Sequence, residues 1–217
     1  MRKLLLNLFV IFAMTCNFVL GQSVGEKHNS LILEYLAQDP EITNINKYDI
    51  GNSFYQIYRN LYEDDSDPAT AEKLNEILDV VFINENISSF SNTDFYRMID
   101  YSEGQGYITP RLAVFAKDLV NNEFHSYTEM TQFIDNFKNS TENLTVDEIR
   151  SLDTARDIVL NSHSLWASVY RTKDPTAAVI VADLVGGFVF SPLTVLAPIA
   201  SGMISLAVHA CTKKKSC

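Results

Sequence analysis

Glycine, proline and cysteine are all scarce in this chain: 217 residues include 8 Gly, 6 Pro and 3 Cys. So few breakers exclude a collagen-like or low-complexity chain, and so few cysteines exclude a fold held by a disulfide framework. Positive charge is also short. Of the 17 Lys and Arg, Arg2 and Lys3 lie near the N-terminus and Lys213, Lys214 and Lys215 in the tail, which leaves 12 to face 27 acidic side chains. Nucleic acid is therefore not an expected partner, since neutralising phosphates takes a clustered Lys/Arg face.

Signatures of chemistry are missing too. The chain has no Gly-x-Ser-x-Gly elbow, no Ser-x-x-Lys, no Walker loop and no Gly-x-Gly-x-x-Gly. Its four histidines (His28, His125, His163, His209) lack the His-Glu-x-x-His spacing that sets two ligands on one helical face, and no Cys-x-x-Cys occurs. The acidic run Glu63-Asp64-Asp65-Ser66-Asp67 lacks the central Gly and distal Glu of an EF-hand and reads as a solvated turn. No catalytic, cofactor or metal residues are expected. A hydrolase whose two carboxylates meet across the fold leaves no local signature, so that alternative stays open. Asn86, Asn139 and Asn143 fit the glycosylation acceptor pattern, which matters only in a eukaryotic host.

What is present is a globular composition, 47% hydrophobic and 20% charged, enough for one domain with appendages. Residues 1–21 read as an export signal: Arg2 and Lys3 form the charged start, Leu4 to Met14 the apolar stretch, and Val19-Leu20-Gly21 the cleavage site. The mature chain is expected to begin at Gln22, in the periplasm, the cell envelope or outside the cell. Export removes Cys16 and leaves Cys211 and Cys217, which an oxidising compartment can join in a small ring.

Residues 22–171 read as an acidic all-α domain, because apolar residues recur at helical spacing in seven stripes with start signals between them. Leu31, Ile32, Tyr35 and Leu36 form the first; Ile50, Phe54, Ile57 and Leu61 the second. Asp67 as N-cap and Pro68 at the first helical position open the third, through Ala71, Leu74, Leu78, Val81 and Phe82. Phe95, Met98 and Ile99 form a short helix that stops near Gly104-Gln105-Gly106, and Thr109-Pro110 restarts the chain for Leu112, Phe115, Leu119 and Val120. Two capping boxes, Ser126 with Glu129 and Thr145 with Glu148, open the last two, the second running to about Arg171. The expected architecture is a helical bundle, with aromatic residues packed in its core.

Residues 172–217 differ. From Thr176 to Ala210 the only ionisable groups are Asp183 and His209. The run exceeds the roughly 20 apolar residues that cross a bilayer, and three lysines follow it as a cytoplasmic anchor would. Gly186-Gly187, Ser191-Pro192, Pro198 and Gly202 interrupt it, so a hydrophobic helical hairpin is preferred to one kinked transmembrane helix, and burial within the bundle is a third reading. Each half carries small residues at a spacing of four: Ala178, Ala182 and Gly186, then Ala197, Ser201 and Ser205. Such ridges let two helices approach closely. Asp183 either reaches water near the segment's edge or pairs with His209 across the hairpin.

Two stretches resemble a known type of chain. Ser23-Val24-Gly25-Glu26-Lys27-His28-Asn29, and Val181-Ala182-Asp183-Leu184-Val185-Gly186-Gly187 with the apolar run behind it, are similar to the ends of uncharacterised exported proteins of Bacteroidetes-type bacteria. The C-terminal part also resembles the glycine-zipper stretch of some membrane-active bacteriocins, although it is poorer in Gly and richer in Val and Phe. The resemblance implies export and implies no catalytic residue. The expected role is interaction, with a membrane or with other copies, through residues 176–210; a membrane-active effector is the main alternative.

Overall fold

The computed structural model describes residues 22–39, 42, 46–62, 68–87, 89–170, 177–193 and 195–213. Among these residues there are nine α-helices and no β-strand: α1 (Val24–Gln38), α2 (Lys47–Leu61), α3 (Pro68–Val81), α4 (Asn92–Gly104), α5 (Pro110–Asn121), α6 (Tyr127–Ser140), α7 (Val146–Tyr170), α8 (Ala177–Val189) and α9 (Leu196–Lys213). The expected export signal, the acidic run with Asp67, and Cys217 lie outside the described residues.

Local chemistry sets the helix ends. Ser23 and Glu26 form a reciprocal capping box at the start of α1, each side chain accepting from the other's backbone N–H. Thr145 and Glu148 do the same for α7. At α6 the box is displaced by one residue. Ser126 accepts from the Glu129 N–H, whereas the Glu129 carboxylate reaches back to the N–H of His125. α4 ends in a Schellman motif: Gly106 takes φ +73°, its N–H bonds Glu103 O, and the N–H of Tyr107 bonds Ser102 O.

Each amphipathic helix buries the face that its apolar spacing marks: Leu31, Ile32 and Tyr35 on α1, Ile50, Phe54 and Ile57 on α2, Leu74 and Leu78 on α3, Leu112, Phe115 and Leu119 on α5. Leu61 departs from this pattern, being 38% exposed at the end of α2.

The faces converge on the C-terminal segment. The apolar run forms two helices, α8 and α9, broken at residues 190–195. They do not stand beside the acidic helices but lie among them. α8 packs on α9, α4, α5 and α7, while α9 packs on α8, α1, α2 and α3; α6 is added outside α7. Every residue of α9 from Leu196 to Cys211 is buried, as are ten of the 13 residues of α8. Among the described residues, no helix is long and apolar enough to cross a membrane.

The two helices touch where the small-residue ridges meet. A Cβ placed on Gly186 would lie 3.0 Å from Ser201 Cα, so a side chain there would press on backbone. Ala182, Ala197, Ser201 and Ser205 are fully buried. Ala178 is not part of this contact, because it lies exposed in the first turn of α8, beyond the cover of the other helices. Replacing Gly186 by Leu is expected to separate α8 from α9 and destabilise the protein by about 1–3 kcal/mol, as overpacking of a core does. Urea unfolding reads this directly, and an unchanged midpoint would show that the helices do not depend on close approach.

Candidate functional site: a buried polar clasp

A carboxylate on a helix buried on all sides is costly unless its charge is balanced and its oxygens are bonded. Asp183 of α8 has no solvent exposure. His28 Nε2 lies 2.7 Å from its Oδ1, and Trp166 Nε1 donates to its Oδ2 at 2.7 Å. His28 and Trp166 are themselves fully buried. The main-chain carbonyl of Asp183 accepts from Ser201 Oγ at 2.7 Å, which ties α9 to the same point.

The network continues toward the start of α1. His28 Nδ1 faces Asn29 Oδ1 at 2.9 Å, and Asn29 Nδ2 donates to the carbonyl of Asn161 on α7 at 3.0 Å. Asn161 Nδ2 in turn donates to Asp157 O and Oδ1, both at 2.9 Å. The second carboxylate oxygen of Asp157 accepts from the Gly25 N–H at 2.8 Å. That N–H belongs to the first turn of α1, where no helical carbonyl is available to it and a negative charge is favoured. Glycine is needed at this position, since a Cβ would lie 2.7 Å from Asn161 Nδ2 and 2.9 Å from Asp157 O.

The bonds specify the proton inventory. Asn29 must present its amide nitrogen to the Asn161 carbonyl, so its oxygen faces His28 and the Nδ1 of that ring carries a proton. A second proton lies between Nε2 and Asp183 Oδ1. The His28–Asp183 pair is thus neutral overall, and a dry site tolerates it.

His209, the partner expected for Asp183 across the two C-terminal helices, takes a different place. Its Nδ1 bonds the Tyr170 hydroxyl at 2.5 Å, and its ring packs 4.9 Å from that of Trp166. The correction has a simple cause: α1 covers α9 and delivers His28 to the Asp183 carboxylate, and Trp166 occupies the other oxygen. Water does not reach Asp183 either. Cys211 is buried on α9, and its expected partner Cys217 lies outside the described residues.

Two further polar joints flank the bundle. Lys47, 4% exposed, donates to Phe82 O at 3.0 Å and pairs with Asp79 at 2.6 Å, joining the start of α2 to the end of α3. Burial opposes its charge, yet the hydrogen bond that it donates to Asp79 prevails and holds the Lys47 pKa above the ordinary lysine value. Glu148 accepts from Thr109 Oγ1 at 2.6 Å and so joins the start of α5 to that of α7. Burial alone would raise its pKa; the Thr109 and Thr145 hydrogen bonds outweigh this and leave it lowered. A cavity of about 260 Å³ lies at the starts of α5 and α7, lined by Tyr107, Thr109, Arg150, Ser151 and Ser191 among others, with Asp147 as the carboxylate among its described lining residues. Among the described residues, no group of three or more His, Cys, Asp and Glu side chains is placed to hold a metal ion.

No family model, no curated protein and no solved structure matches this chain. Residues 23–29 and 181–187, far apart in the chain, come together here, since one segment contains Gly25, His28 and Asn29 and the other Asp183. Periodicity gave no sign of Trp166, Asn161 or Asp157 as partners, because each sits at an ordinary helical position of α7.

Two outcomes follow from this geometry. Trp166→Phe keeps a ring but removes a donor from a buried carboxylate, and is expected to cost about 1–3 kcal/mol; an unfolding midpoint equal to that of the wild type would contradict the bond's importance. Glu148, whose folded pKa lies below its ordinary 4.5, contributes stability above that value that is lost as pH falls through the folded pKa. Glu148→Gln is therefore expected to flatten the acid limb of a stability–pH curve, and parallel limbs in the two proteins would refute it.

Proposed function

We propose that this is an exported helical protein that works by association and not by catalysis, and that the hydrophobic hairpin formed by α8 and α9 is the part that meets a membrane of the cell envelope. The observation that carries the reading is the hairpin's composition. It is nearly free of charge, and its one carboxylate is hydrogen-bonded inside the protein by His28 and Trp166. A helix apolar on every side suits either a protein core or a lipid phase. In the compact state both helices are covered, so contact with lipid requires the surrounding helices to part. At 1.5 Å per residue, the 13 residues of α8 span about 20 Å and the 18 of α9 about 27 Å. Both exceed a single leaflet of about 15 Å and fall short of a ~30 Å hydrocarbon core, so a hairpin of this length enters a bilayer without either arm crossing it.

Trp166 is the single tryptophan of the chain and lies against both Asp183 and His209, so its emission reports the hairpin's surroundings. The purified exported chain, mixed with phosphatidylcholine vesicles with and without phosphatidylglycerol, is expected to float with the lipid. Brominated lipid should quench Trp166, and an entrapped dye should be retained. Release of the dye would make the protein a membrane-active effector. Absence of both flotation and quenching at every lipid concentration would refute association with a bilayer.

A further inference from the structure

The geometry points to α1 as a strap: it closes over α9, is fastened to α7 and α8 by the polar clasp, and detaches as a unit while the other helices stay folded. The proposed membrane role gives this opening its purpose, but the opening itself is a property of the protein in water.

Two observations and one physical argument support it. First, α1 packs on α7, α9 and α2 and reaches α8 through the His28–Asp183 bond. Lifting it removes part of the cover of α9: a Cβ placed on Gly202 would lie 2.6 Å from Phe54 Cε1 of α2 and 3.5 Å from Ile32 Cγ1 of α1, so the two helices share the shielding of this part of α9. Second, the fastening is polar and concentrated at one end. Gln22, Gly25, Lys27, His28 and Asn29 all bond residues beyond α1, whereas Leu31, Ile32 and Tyr35 supply its buried apolar side chains. Third, polar fastening and apolar packing respond differently to damage. Losing one methyl from an apolar contact weakens it by degrees, but removing one member of a buried hydrogen-bonded pair strands the other, and the joint fails as a whole.

The proton inventory makes a specific distinction between two substitutions at one position. Asp183→Asn retains the joint: the amide oxygen accepts from Trp166 Nε1, and the amide nitrogen donates to Nε2 of a neutral His28 that keeps its proton on Nδ1. Asp183→Ala strands both donors.

Hydrogen exchange of the full exported chain, resolved helix by helix by mass spectrometry, tests the strap without any lipid. In the wild type, α1 is expected to exchange faster than α2 and α7 by about tenfold or more, through an opening smaller than global unfolding. Asp183→Ala and His28→Ala should each accelerate α1 further while α2 and α7 keep their protection. Asp183→Asn should stay close to wild type. Leu78→Ala, a truncation at a fully buried site on α3, serves as the control for general destabilisation. The strap is overturned by α1 exchanging together with α2 and α7 in the wild type, by Asp183→Ala loosening all helices alike as Leu78→Ala does, or by Asp183→Asn behaving as Asp183→Ala. Vesicle flotation of the same variants separates the two ideas. Selective loosening of α1 without lipid binding leaves the strap standing and removes the membrane reading.

Discussion

A helix whose apolar surface runs all the way round has no side to offer to water, so every direction around it must be filled. Two such helices packed together still need cover on their outer surfaces, and the rest of this fold is arranged to supply it. α1, α2 and α3 close over α9, while α4, α5 and α7 close over α8. The charged residues of the chain fall mainly on the outward faces of these covering helices. A protein with so many more acidic than basic side chains thereby keeps like charges at the periphery, in water and far from the apolar pair, where screening limits their repulsion.

The positions of the helices were largely legible, because their determinants are local. Thr145 with Glu148, Thr109-Pro110 and Gly106 each act within one turn of chain, and the apolar spacing marks which face turns inward. What that face turns toward is not local information. The stripe on α1 says that Leu31 and Ile32 are buried, but nothing in it names α9 as the surface that buries them. The same limit governed Asp183. His209 was a reasonable partner within the last two helices, yet the bonded partner lies 155 residues away on α1, and a side chain's reach across a fold leaves no periodic trace.

The clasp shows how a polar group is accommodated in such a core. Asp183 accepts from both His28 and Trp166, and its own carbonyl accepts from Ser201. Four helices are therefore referred to one point. A well-packed apolar set in place of Asp183, His28 and Trp166 together would give comparable or greater stability but would leave the rotation and register of α1 open, because apolar packing alone tolerates sliding. The bonds from Gly25 to Asp157 and from Asn29 to Asn161 remove that freedom along α1.

The chain order gives the central pair one further consequence. α8 and α9 come last among the described helices, yet they form the surface on which all but one of the earlier helices pack. During synthesis α1 to α7 emerge with their inward faces matched to a centre that does not yet exist, and the clasp must wait for Asp183 to close a loop of more than 150 residues back to His28. Contacts of such long range form slowly and only in a complete chain. The earlier helices therefore carry uncovered apolar faces through most of synthesis, and the order in which this fold becomes compact is set by its last two described helices and not by its first.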